Sequence, residues 1–435
     1  VQTMVMQERL LQYIWQHQYL QSTGLTTVQG QTLEVLDSGT WNQEQGPDFL
    51  HARVRIGDTL WAGQVEIHVR ASDWYKHAHE GDAFYRNIVL HVVWEQDLDH
   101  CPGELPTLQL RDWVSLRRLD LYARWMEAPK GIACAGSLQR VSEQDWLAWK
   151  QSLALERMLQ KGAAIQQRVR EMGGDWESVF WSLIFRYLGG KVNGAAFEQV
   201  FAQLGWPLLR KYSKKSDCLE ALLLGTAGIL DEQSFSMGAG HLSGYQKRYQ
   251  QLVQKHLLDP KPARMKHLRM RPVSFPLLRM RQAGRLLREA PNLFEQVGNG
   301  LSVQAWQELL RSGTTEKKKS DDAKSKQELD EGVSPLGKSL IDSLIINVIL
   351  PMTTVYPYGQ FGKRTASSVV EQLRTLAPEH HHITRIWRSL QVEVAQARDS
   401  QALLHLFEAY CQQKNCLACR VGQICLSDPT GPNNT

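Results

Sequence analysis

No stretch of this 435-residue sequence stays apolar for the ~18 residues that a membrane span needs, and the longest apolar runs, such as 344–350, fall far short. The opening residues (VQTMVMQERLLQYIWQ) lack the uninterrupted apolar core of a secretory leader. Cysteine is scarce: there are seven, and four crowd into the last 25 residues, so no secreted disulfide framework is spelled out. No internal repeat recurs at a fixed period. Apolar residues almost vanish from 312–333 (SGTTEKKKSDDAKSKQELDEGV), as expected of a flexible loop. Acids nearly vanish from 245–290, where Asp259 and Glu289 face twelve Lys and Arg, a net charge of +10 in a chain of +5. Together these absences argue against membrane and secreted classes and leave a cytoplasmic location as the expectation.

What is present is ordinary globular material, 43% hydrophobic and 22% charged, long enough for two or three domains. Residues 5–22 carry apolar side chains at helical spacing. A short strand follows around 31–37, then a loop over 39–46 and two alternating runs, 48–56 (DFLHARVRI) and 59–70 (TLWAGQVEIHVR), joined at Gly57-Asp58 in the manner of a tight hairpin. Ser72-Asp73 offers an N-cap for a helix to about Tyr85, and 88–94 (IVLHVVW) reads as a buried strand. This order predicts an α/β domain with a mixed sheet over 1–110. Beyond it the patterns turn helical: a helical domain over 111–311, the loop 312–333, and a helical region over 334–435. Ser142-Glu143-Gln144-Asp145 resembles a capping box opening a helix to about Met172. Gly189-Gly190 separates two further helices, 175–188 and 195–209.

Within the second alternating run, Trp61, Val65, Ile67 and Val69 share one face, while Gln64, Glu66, His68 and Arg70 share the other. Polar groups in such a row are costly to bury unless they are satisfied or used. Pro47-Asp48 at the head of one strand and Glu66-Ile67-His68 on the next, in the order helix–β–β–β–helix–β, resemble the PD-(D/E)xK nuclease superfamily, whose core is restriction-endonuclease-like. The resemblance implies Asp48 and Glu66 as ligands of Mg²⁺ or Mn²⁺, helped by the Ile67 carbonyl, and phosphodiester hydrolysis in DNA or RNA. It also departs from that pattern, because His68 stands where the superfamily has lysine. A neutral imidazole, with its ordinary pKa near ~6.5, can take a proton from water but lacks a permanent charge. Arg70 is placed to supply that charge, and Gln7 and Glu8 on the first helix are auxiliary candidates. The alternatives are a non-catalytic nucleic-acid-binding or scaffold protein on a degenerate nuclease fold, or a strand face where Glu66 simply pairs with Arg70.

Histidine is dense here: six of fourteen fall within fifty residues, His51, His68, His77, His79, His91 and His100. A zinc hydrolase using His68, His79, His91 and Asp48 is a rival reading. On a regular helix His77 and His79 point to different faces and cannot share a metal, while His91 within IVLHVV fits a hydrogen-bonded core residue. Across the whole chain, the Gly-Pro-Asp-Phe, Val-Glu-Ile-His, Ser72-Asp73-Trp74…His77…His79 and Asn87…His91-Val-Val pattern, with the terminal cysteines, resembles an uncharacterised bacterial protein family.

Two further constellations carry chemistry. Cys411-x4-Cys416-x2-Cys419-x5-Cys425 is a metal-binding pattern. Its last three members resemble the iron–sulfur staples of DNA glycosylases and of some helicase-associated nucleases, in which the first cysteine lies far upstream. A [4Fe–4S] cluster is expected, with structural Zn²⁺ as the alternative. The basic stretch, with Lys266, Arg269, Arg271, Arg279, Arg281 and Arg285 at its centre, offers phosphate contacts to nucleic acid or else connects helices whose acids neutralise it.

Overall fold

The computed structural model describes residues 6–20, 24–42, 44–77, 79, 82–129, 131–230, 239–259, 261–267, 271–314, 333–357 and 366–427. The chain forms two compact units, one from residues 1–146 and 407–435, the other from 147–406.

The first unit is built on a mixed sheet. Helix α1 (Glu8–Gln16) precedes strands β1 (Leu33–Asp37), β2 (Thr40–Trp41), β3 (Phe49–Ile56) and β4 (Thr59–Arg70). A one-turn helix α2 (Asp73–Lys76) leads to β5 (Ile88–Glu95) and β6 (Thr107–Gln109). The spatial order is β1-β3-β4-β5-β6, with β2 also on β3. The β3–β4 pair is antiparallel and closes through Gly57-Asp58, with Ile56 opposite Thr59 and Gly57 at φ 57; a two-residue hairpin of this kind needs a residue that tolerates positive φ. Strands β4, β5 and β6 run parallel, so the chain must cross over between each, as parallel pairing requires. Helix α1 lays Leu10, Leu11, Ile14 and Trp15, all at most 1% exposed, against the sheet at β4.

The expected helix from Ser72 to Tyr85 is not continuous. It stops at Lys76, and a separate 3₁₀ turn covers Ala83–Tyr85. Asp73 holds it locally: its Oδ2 accepts the Arg70 N–H at 2.9 Å and its Oδ1 accepts from Lys76 Nζ at 2.6 Å. Strand β4 is also more deeply covered than a one-faced strand. Val65 to His68 are all buried, whereas Trp61 is 44% exposed and Arg70 is exposed. Both faces are closed where Glu66 and His68 sit.

A second part of this unit gathers helix α3 (Leu116–Glu127), a 3₁₀ turn over Ala135–Arg140 and the C-terminal helix Arg420–Leu426. Arg118 Nε donates to the Leu426 carbonyl at 3.1 Å, and Arg140 Nη1 donates to that of Cys425 at 2.8 Å. Lys414 Nζ reaches the carbonyls closing α3, with Ala128 O at 2.6 Å, satisfying acceptors that a helix end leaves open.

The other unit is mostly helical. Helix α4 (Glu143–Glu171) leads into it, followed by α5 (Trp176–Leu204), which breaks at Gly190 (φ 61, ψ −160). A second break at Gly205 (φ 70) starts a new helix, Trp206–Tyr212, inside the stretch expected to be one helix to residue 209. Lys338–Val355 matches a membrane span in length and apolar character, but Ile341, Leu344, Ile345, Ile346, Val348 and Ile349 are all buried in this unit's own core. A buried pair, Lys150 Nζ and Asp399 Oδ1 at 3.3 Å, lies in the same unit. Of the stretch read as a flexible loop, Thr314 and Val333 are buried at its two ends, and 315–332 lie outside the described residues.

The sheet tolerates little change where β4 meets the β5 approach. A Cβ on Gly63 would stand 2.6 Å from the Asn87 carbonyl oxygen, which also accepts the Gln64 N–H at 2.9 Å. Backbone cannot yield as a flexible side chain does, so Gly63→Ala is expected to destabilise the first unit by about 1–3 kcal/mol. Gly136→Ala, where nothing lies within 4 Å, should leave the unfolding midpoint unchanged; chemical denaturation of both variants measures the difference.

Candidate metal centre

Asp48 arrives at the head of β3 from a loop that is itself tied down. Asn42 Nδ2 donates to the Pro47 carbonyl at 3.0 Å, and the Asn42 N–H donates to the Asp48 carbonyl at 2.7 Å. The carboxylate then meets β4. Its Oδ2 accepts the Ile67 N–H at 3.0 Å, and its Oδ1 accepts from Gln12 Nε2 on α1 at 2.8 Å. In return, the Asp48 N–H donates to Glu66 Oε2 at 3.1 Å. The two acids expected to act together are therefore adjacent. Glu8 raises the pKa of both electrostatically, and its own pKa is raised by burial.

The other oxygen of Glu66 faces imidazoles. Oε1 lies 3.2 Å from His79 Nε2 and 3.6 Å from His68 Nε2. His68 Nε2 is also 3.1 Å from His77 Nδ1 and 3.3 Å from His79 Nε2. Its second nitrogen, Nδ1, lies 2.9 Å from His91 Nε2 on the neighbouring strand, where the parallel register sets Glu66 against His91. His68 and His91 are completely buried, and Glu66 and His79 nearly so; His77 is exposed. His77 and His79 converge because the helix ends before them. The expectation that they diverge assumed a regular helix through both positions.

Among the described residues, the ligand atoms of His68, His77 and His79 all lie within 4.8 Å of one another. A tetrahedral ion with bonds of about 2.0–2.1 Å sets its ligands about 3.3–3.4 Å apart, which is the spacing of His68, His79 and Glu66 Oε1. Ring nitrogens turned on one another in a dry interior need shared protons or a shared cation. The donor set fits a divalent ion of the zinc or manganese class, since imidazole is a poor ligand for Mg²⁺. With an ion bound, His91 would act through His68: accepting an Nδ1–H across their 2.9 Å contact, it would fix the tautomer that leaves Nε2 to ligate.

Two features are not written in the motif. Tyr85 stacks on His79 with ring centroids 3.9 Å apart, and burial with the nearby carboxylates raises its phenol to about 12. Trp74 lies edge-on to His68 at 6.3 Å between ring centroids. Both residues sit in the stretch read as helix, so its periodicity pointed them elsewhere. Arg70, expected to supply charge beside His68, is exposed at the end of β4. His51 stands at the β3 bulge with φ 63 and is likewise exposed.

The basic segment divides in two. Lys247, Arg248, Lys255, Lys261, Arg264, Lys266 and Arg271 are exposed, and the Lys266 backbone N–H donates to Asn193 Oδ1 at 2.8 Å. Arg279 donates to Gln282 at 3.0 Å, Arg281 lies 3.6 Å from Glu220, and Arg285 is buried, donating to the Thr314 and Val333 carbonyls at 3.1 and 2.9 Å. Arg285 is therefore a structural cation, closed to phosphate. Arg269 lies outside the described residues. The four C-terminal cysteines lie together in the first unit, all as free thiols.

Burial and the neighbouring acids raise Glu66 to about 9 and Asp48 to about 7. The folded chain thus keeps protons that the unfolded chain releases near ~4. The stability they confer is complete below that pH and is lost as pH rises through 7 to 9. The imidazoles act oppositely. Burial lowers His68 to about 2 and His91 to about 3, so their contribution is lost only as pH falls below ~6.5. Above pH 7 the imidazoles no longer oppose the carboxylate effect. In chelator, the melting temperature should therefore fall from pH 7 to pH 9, and Mn²⁺ or Zn²⁺ should reverse the fall. Glu66→Gln should flatten it; differential scanning fluorimetry across that range is the measurement.

No curated protein and no solved structure matches this chain. A family match covers residues 8–382, which takes in the carboxylates, the four histidines and the basic segment and ends before the C-terminal cysteines. The chain belongs to the family described as Protein of unknown function (DUF2851).

Proposed function

We propose that this protein is a metal-dependent hydrolase of phosphodiester bonds in nucleic acid, with a nuclease-like core of the PD-(D/E)xK type in its N-terminal unit. One observation carries the reading: Glu66 links a second, half-buried acid, Asp48, through Oε2 to the imidazoles of His68 and His79 through Oε1, with His77 converging on His68. The order of elements, with acids at the head of β3 and on β4 and with β4–β5 parallel, agrees with that core.

In this proposal Glu66, His68, His77 and His79 hold the cation. When bound, such an ion polarises a phosphoryl oxygen and lowers the pKa of water. The chain's own groups do the rest. Asp48 orients Glu66 through its N–H, and its carboxyl, with a pKa near neutrality, holds or yields a proton at Oδ2 or Oδ1. His68 is enclosed, with both nitrogens occupied, so its part is to ligate rather than to exchange a proton with solvent. The exposed His77 marks the open side, by which a substrate phosphate would approach. The exposed lysines and arginines of 247–271 would hold the nucleic-acid backbone and make binding salt-sensitive.

A second reading rests on the same burial. Four protein ligands fill the coordination of a tetrahedral ion, the mark of a structural metal, which would leave a non-catalytic scaffold or nucleic-acid-binding protein.

The full chain should bind about one Zn²⁺ or Mn²⁺ at this centre. It should cleave DNA or RNA substrates with Mn²⁺ or Zn²⁺ better than with Mg²⁺. Asp48→Asn and Glu66→Gln should each lower cleavage at least 100-fold, on the order of what loss of a positioned charge or donor costs. His79→Ala should weaken metal binding by more than the roughly 10–100-fold that loss of an outer-sphere partner costs. Equal cleavage by wild type and all three variants would overturn the hydrolase. Stoichiometric metal with no cleavage of single-stranded or duplex DNA or RNA would establish the structural reading instead.

A further inference from the structure

The first unit holds a cavity that the metal centre does not use. Its volume is about 290 Å³. Gln7 and Arg9 at the start of α1 line it, with Tyr122 on α3 and Gln413, Lys414 and Asn415 of the returning C-terminal segment. Apolar side chains complete the wall, and among the described residues no carboxylate lines it. Small-molecule sites run from roughly 300 to 1,000 Å³, so this one suits a small ligand and excludes a duplex.

Three sources of positive charge meet there. Gln7 is the N-cap of α1, and its side chain makes no capping hydrogen bond, so the first N–H groups of the helix stay open at its positive end. Glu8, in the same turn, acts on Asp48 and Glu66 instead and does not line the cavity. Arg9 is exposed and forms no ion pair or hydrogen bond among the described residues. Lys414 Nζ donates to the carbonyls of Trp125, Met126 and Ala128. These acceptors are neutral, so its charge has no counter-ion among the described residues. Tyr122 adds an independent sign of a ligand. It is only 4% exposed yet lines the cavity, and its hydroxyl makes no hydrogen bond among the described residues. A buried hydroxyl calls for a partner, and the cavity is where one can stand. The Arg9 charge reaches this phenol, opposing the rise that burial gives its pKa.

We propose that this cavity binds a small phosphate monoester. The phosphate sits at Arg9, the first N–H groups of α1 and the Tyr122 hydroxyl, and the organic part lies among the amides of Gln7, Gln413 and Asn415. Charge requires an anion, since two cations and a helix N-terminus surround a space without acids. Phosphate suits the donors, because a helix start and a guanidinium both present N–H groups to its oxygens. The volume exceeds what a bare phosphate fills, and an ester gives the amides a partner. Binding here needs no metal and does not rest on the hydrolase.

Isothermal titration calorimetry of the full chain in excess EDTA, which keeps the metal centre empty, tests this with AMP, glucose 6-phosphate and inorganic phosphate. At least one ester should bind at about one per chain, on the order of 10-fold more tightly than inorganic phosphate. AMP as the tighter ligand marks a nucleotide site, and glucose 6-phosphate as the tighter marks a sugar-phosphate site. Arg9→Gln should weaken that binding about 10-fold or more, and Tyr122→Phe about 3-fold. Arg9 is exposed and Tyr122→Phe removes only the hydroxyl, so both variants should melt as wild type does. Arg53→Gln, at an exposed arginine of β3 paired with Asp37, should bind as wild type. No binding of either ester, equal affinity for inorganic phosphate, or wild-type affinity in either cavity variant would overturn the site. So would an equal loss in Arg53→Gln, which would mark diffuse surface charge.

Discussion

A carboxylate buried between two strands sets the terms for the N-terminal unit. Glu66 lies on the central part of β4, covered on both sides. Burying a charge there is costly unless a proton, a hydrogen-bond donor or a cation compensates it. Each oxygen has its own answer. Oε2 takes the Asp48 N–H, and Oε1 turns to the imidazoles of His68 and His79. The tie to Asp48 fixes the start of β3, and through Gln12 it fixes α1. Packing, strand pairing and the site's chemistry therefore depend on one side chain.

The arrangement of strands explains how so many donors reach one point. Antiparallel pairing of β3 with β4 brings Asp48 beside Glu66 across a two-residue turn. Parallel pairing of β4 with β5 forces a crossover, and that crossover carries His77, His79 and Tyr85 back over the strand carrying Glu66 and His68. A full helix would have spread His77 and His79 apart. One turn of helix followed by irregular chain lets both return. His68 thus stands in a cluster with His77, His79 and His91 rather than beside a fixed charge.

A similar economy governs the C-terminal segment and the basic segment. Distance along the chain is a poor guide to which groups meet: Arg140 reaches the Cys425 carbonyl because the C-terminal segment folds back onto the first unit. In the helical unit, part of the basic stretch is spent on the core. Arg285 satisfies two backbone carbonyls and Arg281 neutralises Glu220, while the described lysines and arginines of 247–271 remain on the surface.

The sequence alone determined the parts whose signal is local. The hairpin at Gly57-Asp58, the buried run 88–94, the helix opening at Ser142 and the break at Gly190 follow from alternation, turn residues and capping. They depend on nearest neighbours along the chain. Asp48 and Glu66 were legible as a pair for the same reason, since one hairpin separates them. Only the tertiary structure decided that His77 and His79 join His68, that Gln12 and Tyr85 belong to the site, and that Arg140 meets Cys425. Those meetings depend on where a helix stops and how a crossover or a returning terminus packs. Such outcomes are set by competition among distant buried groups, and no periodicity records them.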